Sequence, residues 1–141
     1  MSTYIAVSLQ RQIRQQYCDR CAYCQSSESL MAVTFEIEHI IPQSAGGATG
    51  LENLCLACPP CNRNKASRQM GIDPETNESI RFFNPQTDRW FDHFQWNQNF
   101  TELIARTKIG KVTITSLQMN RLQLINAREI WVFVDRHPPK Q

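Results

Sequence analysis

Glu38 and His39 are neighbours in the run Glu36-Ile37-Glu38-His39-Ile40-Ile41-Pro42. A carboxylate that can ligate a metal stands beside an imidazole that titrates near neutral pH, so a metal ligand and a general base share one short segment. Two Cys-x2-Cys pairs, Cys21/Cys24 before the run and Cys58/Cys61 after it, have the spacing of a tetrahedral four-thiolate zinc site. Each cluster carries a third cysteine at the same interval, Cys18 and Cys55, and spacing alone leaves the choice of pairs open. Context favours Cys21, Cys24, Cys58 and Cys61. Cys55 lies in the alternating stretch Asn53-Leu54-Cys55-Leu56-Ala57 and reads as a small buried hydrophobe, while Cys18 follows a helix as an unligated thiol. Together these features point to metal-assisted phosphodiester hydrolysis, which needs an activated water, a neutralised phosphate and a stabilised leaving oxygen. His39 suits the first task. A hard cation such as Mg2+ prefers oxygen ligands, of which Glu38 supplies one.

The elements that position these groups follow from the patterning. Ser8 is placed to cap a helix with Leu9, Ile13 and Tyr17 on one face. Val33, Phe35 and Ile37 alternate with polar residues, predicting a half-buried strand that ends near His39. Pro42 to Gly50 is rich in turn formers, Leu54 to Ala57 forms a second strand, and the polar stretch after Cys61 is helix-compatible until Gly71. Strand, loop, strand and helix make a ββα unit over about residues 33–70.

A C-terminal extension over about residues 80–135 completes an α+β chain. Its aromatic stretch to Trp96 reads as sheet and core rather than a base-stacking platform. Val112 and Ile114 predict a short strand, and Asn120 is placed to cap a helix with Leu124, Ala127, Ile130, Trp131 and Val134 on one side. His137 and the Pro138–Gln141 end read as a frayed tail.

With 141 residues and 41% hydrophobic content, one domain spanning residues 1–141 is expected. A formal charge of +2 permits a nucleic-acid partner without demanding one. The stretch from Met1 to Arg11 lacks the pattern of a secretion signal, and no apolar run approaches the roughly 20 residues of a membrane span. The expectation is a soluble intracellular protein without a membrane partner, whose cysteines are ligands rather than disulfides.

Cys-x2-Cys, then Glu-His-Ile-Ile-Pro-Gln-Ser, Gly-Gly, Glu-Asn-Leu and Cys-x2-Cys-Asn-x2-Lys resembles an HNH endonuclease, closely over residues 18 to 66. More loosely, Phe82 through Trp96 and on to Trp131 resembles the C-terminal part of small stand-alone bacterial HNH proteins. The active-site signature is also similar to the HNH domain of RNA-guided CRISPR effectors. The resemblance implies a ββα-metal (HNH, His-Me finger) fold, cleavage of double-stranded DNA in a bacterial cytoplasm, and a catalytic Mg2+ or Mn2+ distinct from the structural zinc. It assigns His39 as general base, Glu38 and Asn62 as ligands of the catalytic ion, and Asn53 as the residue that holds the inter-strand loop. Aspartate is commoner at the position of Glu38.

The predicted products are a 5′-phosphate and a 3′-hydroxyl. Arg63, Lys65 and Arg68 are candidate phosphate contacts, against a generic charged face. Glu36 shares a strand face with Glu38 and either approaches the ion or is solvated. Asp92-His93 repeats an acid-histidine pair without a knuckle beside it. The competing function is a zinc-knuckle nucleic-acid-binding module without turnover.

Overall fold

The computed structural model describes residues 4–140; Met1–Thr3, read above as part of an N-terminus without an export signal, and Gln141 of the tail lie outside the described residues. The described chain divides into two units: one runs up to Gln69 and takes in Asn84–Thr87, the other comprises Met70–Phe83 and the chain from Asp88 onward.

In the first unit, helix α1 spans Val7–Gln16 and buries Ile13. Its N-cap is Ala6, with no side-chain cap. Ser8, expected at that position, lies inside the first turn, and the Gln10 side chain instead reaches back to the Ile5 carbonyl at 2.8 Å. Arg14 pairs with Glu28 at 2.7 Å, tying α1 to the short helix α2, Glu28–Met31. Strand β1 is Glu36–His39, three residues shorter than the alternation from Val33 predicts. The cause lies at Phe35: its N–H donates to Glu28 Oε2 at 2.6 Å and its carbonyl accepts from Arg14 at 3.1 Å, so neither group is left for a sheet.

β1 pairs antiparallel with β2, Leu54–Ala57, in a register that sets Glu38 opposite Cys55 and His39 opposite Leu54. Helix α3, Pro59–Lys65, starts on two prolines, whose missing N–H groups cost nothing in a first helical turn. It stops at Lys65 because Ala66 turns to positive φ. The helix predicted to continue to Gly71 therefore ends early, and Gly71 lies instead in a strand.

The second unit opens with a hairpin of β3, Met70–Ile72, and β4, Ser79–Arg81. The turn between them is built on Asp73, whose N–H bonds to the Glu78 carbonyl. A helical turn α4, Trp90–His93, leads into a second hairpin of β5, Phe94–Trp96, and β6, Leu103–Ala105.

Val112 and Ile114 lie in helix α5, Lys108–Leu117, and not in a strand. Thr107 caps that helix, accepting from the Gly110 N–H at 3.0 Å, and the buried Val112, Thr113 and Leu117 share one helical side. The β-branched residues suggested strand; the cap and tertiary packing override that propensity. Helix α6 is Leu122–Phe133 with Arg121 at its N-cap. Asn120 does not cap it, because its side chain holds both the N–H and the carbonyl of Leu103, each at 2.8 Å.

The inward stripe of α6 is Leu124, Arg128 and Trp131, whereas Ile130 and Val134, expected to face in, are exposed. Arg128 takes the interior position by donating to the carbonyls of Thr101 and Met119 and lying 5.1 Å over the Trp96 ring. Phe83, Phe94, Trp90 and Trp96 pack ring on ring, with Phe83 and Phe94 buried, in agreement with the packing reading. His137 is buried rather than frayed: its Nε2 lies 3.0 Å from the Phe100 carbonyl and its ring meets Trp96 edge-on.

Candidate active site and metal centre

The four thiols of Cys21, Cys24, Cys58 and Cys61 are fully buried and all lie within 4.8 Å of one another. The first knuckle is fixed to the hairpin where the Ala22 N–H meets the Leu56 carbonyl at 2.7 Å, and Cys58 is the residue from which α3 starts. Cys24 and Cys58 are 3.7 Å apart. Zn–S bonds of about 2.3 Å at tetrahedral angles place sulfurs about 3.8 Å apart, so the cluster has the dimensions of a zinc site. Hydrogen bonds from Cys21, Cys58 and Cys61 hold the Cys24 thiol well below its ordinary range, while burial pushes Cys21 well above it. Cys55 is buried outside the cluster and Cys18 is exposed, so the residues chosen from sequence context are those that converge.

His39 ends β1 half-buried, with Nε2 2.8 Å from Thr49 Oγ1. Burial lowers its pKa below that of a free histidine, favouring the neutral base. Asn53 is buried beneath the connecting loop and makes three bonds there. Its Oδ1 accepts from the Ile41 N–H at 2.8 Å, and its Nδ2 donates to the carbonyls of Ile41 and Ala48, both at 2.9 Å. The loop closes so tightly that a Cβ on Gly47 would sit 1.7 Å from the Ile41 carbonyl oxygen, which explains the glycine.

Glu38 faces inward. Its Oε1 lies 2.8 Å from Lys65 Nζ and accepts from Tyr23 Oη at 3.2 Å, while its Oε2 has only a long contact, 3.9 Å, with the Cys55 thiol. Burial raises its pKa, opposed chiefly by the charge of Lys65. Asn62 donates from Nδ2 to Glu36 Oε1 at 3.0 Å, and Glu36 is exposed. Glu38 and Asn62 thus both belong to the β1 and α3 pair, but each is engaged with another partner. Arg63 and Arg68 are exposed, whereas Lys65 is buried and directed at Glu38, away from any phosphate outside. His93 bonds Thr107 at 2.7 Å in the second unit, and among the described residues only the four cysteines form a group of metal-ligating His, Cys, Asp or Glu side chains.

Thr49, Tyr23 and the inward turn of Lys65 are what the sequence reading lacked. A loop threonine and a helical lysine carry no signal of their partners; only the position of the lysine, three residues after the knuckle asparagine, set it apart.

A buried four-cysteine cluster with the spacing to hold a metal ion lies beside a strand-borne acid-histidine pair in a fold of mixed helix and strand. Residues 21–68, about a third of the 141-residue chain, match the HNH endonuclease family. That match suggests nuclease or other nucleic-acid-related chemistry for this segment, with nucleic acid as partner. Comparison with curated proteins and with solved structures gives no match.

Proposed function

We propose that the first unit is a ββα-metal nuclease that hydrolyses phosphodiester bonds of double-stranded DNA. The observation that carries this reading is the half-buried His39, its imidazole fixed by Thr49 and its loop held by the three Asn53 bonds. With Nε2–H donating to Thr49, the lone pair rests on Nδ1, which takes the proton from an attacking water. Asn53 acts by position, keeping the strand end and the loop in one geometry. Arg63 and Arg68 meet phosphates from α3 and the turn after it.

The donors for a Mg2+ or Mn2+ ion fit in kind. Asn62 would hold it through Oδ1, with Nδ2 already tied to Glu36, and Glu38 through Oε2, the oxygen that Lys65 and Tyr23 leave open. Such an ion, when bound, neutralises charge at the phosphate and the leaving oxygen. The clamp requires reduced thiols, which suits a bacterial cytoplasm.

Purified protein incubated with supercoiled plasmid and Mg2+ or Mn2+ should nick it, and His39→Ala should slow this by about 100-fold or more. Equal survival of the plasmid with wild type and variant under both metals removes the reading. The cysteine cluster and the outward arginines favour one other function equally, a zinc module that binds nucleic acid without turnover. That alternative predicts DNA retardation by both proteins and no cleavage by either.

A further inference from the structure

Lys65 is among the largest fully buried side chains, only 1% exposed. Its ammonium lies 2.8 Å from Glu38 Oε1 and 3.0 Å from the Ile40 carbonyl oxygen. Those two acceptors belong to the residues immediately before and after His39. We infer that Lys65 is a positioning residue for His39: one ammonium on α3 binds the chain on both sides of the imidazole and fixes the direction from which it meets its water. This inference rests on the reading of His39 as general base.

The opposite side of the same backbone is held independently. The Ile40 N–H donates to the Asn53 carbonyl at 2.8 Å, and the Asn53 side chain holds both backbone groups of Ile41. Residues 38 to 41 are therefore fixed from α3 by a charge and from the loop by an amide, with His39 between the two grips. Stability alone does not call for a lysine here, because a buried ion pair is commonly replaced by apolar side chains of similar volume without loss. A hydrophobic residue would fill the space, but it would leave the Ile40 carbonyl without this bond and Glu38 without its counter-charge. Burial also excludes the role that the sequence suggests for Lys65, contact with a phosphate at the surface.

The test compares wild type with Lys65→Met and Lys65→Arg. It reads zinc content, single-turnover nicking, DNA affinity, and the ring resonances of isotopically labelled His39 against those of His93 and His137. Lys65→Met should keep its zinc and shift or broaden the His39 signals alone. Its nicking should slow about 100-fold, the usual cost of a small misplacement, with DNA affinity altered less than about threefold. Lys65→Arg keeps the charge but replaces one compact donor by a planar fork, and should fold normally with His39 still displaced and nicking slowed about tenfold. It also decides the matter if Lys65→Met fails to fold. Wild-type His39 resonances and rate in Lys65→Arg would mean that the residue only balances charge, and the inference falls. The two readings fail separately: a wild type that cuts no DNA removes the nuclease assignment, whereas the His39 resonances still report whether Lys65 positions the ring.

Discussion

The two units are stabilised by different physics. In the first, the strands are four residues each, and the interior holds four thiols, a lysine, a glutamate and an asparagine. In the second, Phe83, Phe94, Leu117, Leu124 and Trp131 pack in the ordinary manner, with one buried arginine donating to carbonyls. Polar groups occupy interior volume that apolar side chains would otherwise fill, and a metal held by the four cysteines would compensate for the hydrophobic area given up. The contrast can be read spectroscopically: all three tyrosines, Tyr4, Tyr17 and Tyr23, lie in the first unit, and all three tryptophans, Trp90, Trp96 and Trp131, in the second.

The largest expected effect is therefore loss of the four-cysteine cluster's metal, expected to be zinc. Chelation or Cys58→Ser should unfold the first unit, worth about 10 kcal/mol or more for a structural zinc, with loss of tyrosine near-UV dichroism. Tryptophan fluorescence should persist; simultaneous loss of both signals would mean that the two units fold as one. Next in size, His39→Ala should cut nicking by about 100-fold or more while both signals melt unchanged, because in the proposed reaction its imidazole takes the water's proton and, half-buried, it adds little packing.

Arg128→Ala offers the converse. It orphans the Thr101 and Met119 carbonyls and opens a cavity, costing about 3 kcal/mol in denaturant unfolding followed by tryptophan, with zinc retained. Cys55→Ser should cost about 1–2 kcal/mol in the first unit and no zinc, since this thiol is buried outside the cluster.

The smallest effect concerns pH. Burial depresses the folded-state pKa of His39, so the neutral base persists below the ordinary value of about 6.5 and the acid limb of the rate should lie under it. For the same reason its contribution to stability is present above that value and is lost as pH falls through the depressed pKa. An acid limb above about 6.5 that disappears in His39→Ala would contradict this assignment of burial as the dominant influence.

Much of the candidate site was legible because it is local. Knuckle spacing, the acid-histidine pair and the loop glycines are properties of short segments, and the four chosen cysteines do converge. The Asn53 side chain bonds both backbone groups of Ile41, and the glycine at 47 is required by the closeness of the Ile41 carbonyl. Errors gathered where a side chain answers to a distant partner. Val112 and Ile114 carried strand propensity but lie under a Thr107 cap, and Asn120 looks like a cap but serves Leu103. Arg128 sits where the apolar stripe predicted Ile130, since three backbone and ring partners meet it there.

The sequence by itself determined which residues have the chemistry: thiolates for a zinc site, an imidazole for a base, and oxygen donors beside it. Only the tertiary structure decided how those groups are shared out. Glu38, read as a metal ligand, and Lys65, read as a candidate phosphate contact, are 27 positions apart, yet the fold buries them against each other at 2.8 Å. A charge is a property of the residue, but whether it meets water, a metal or another charge depends on what the fold packs against it.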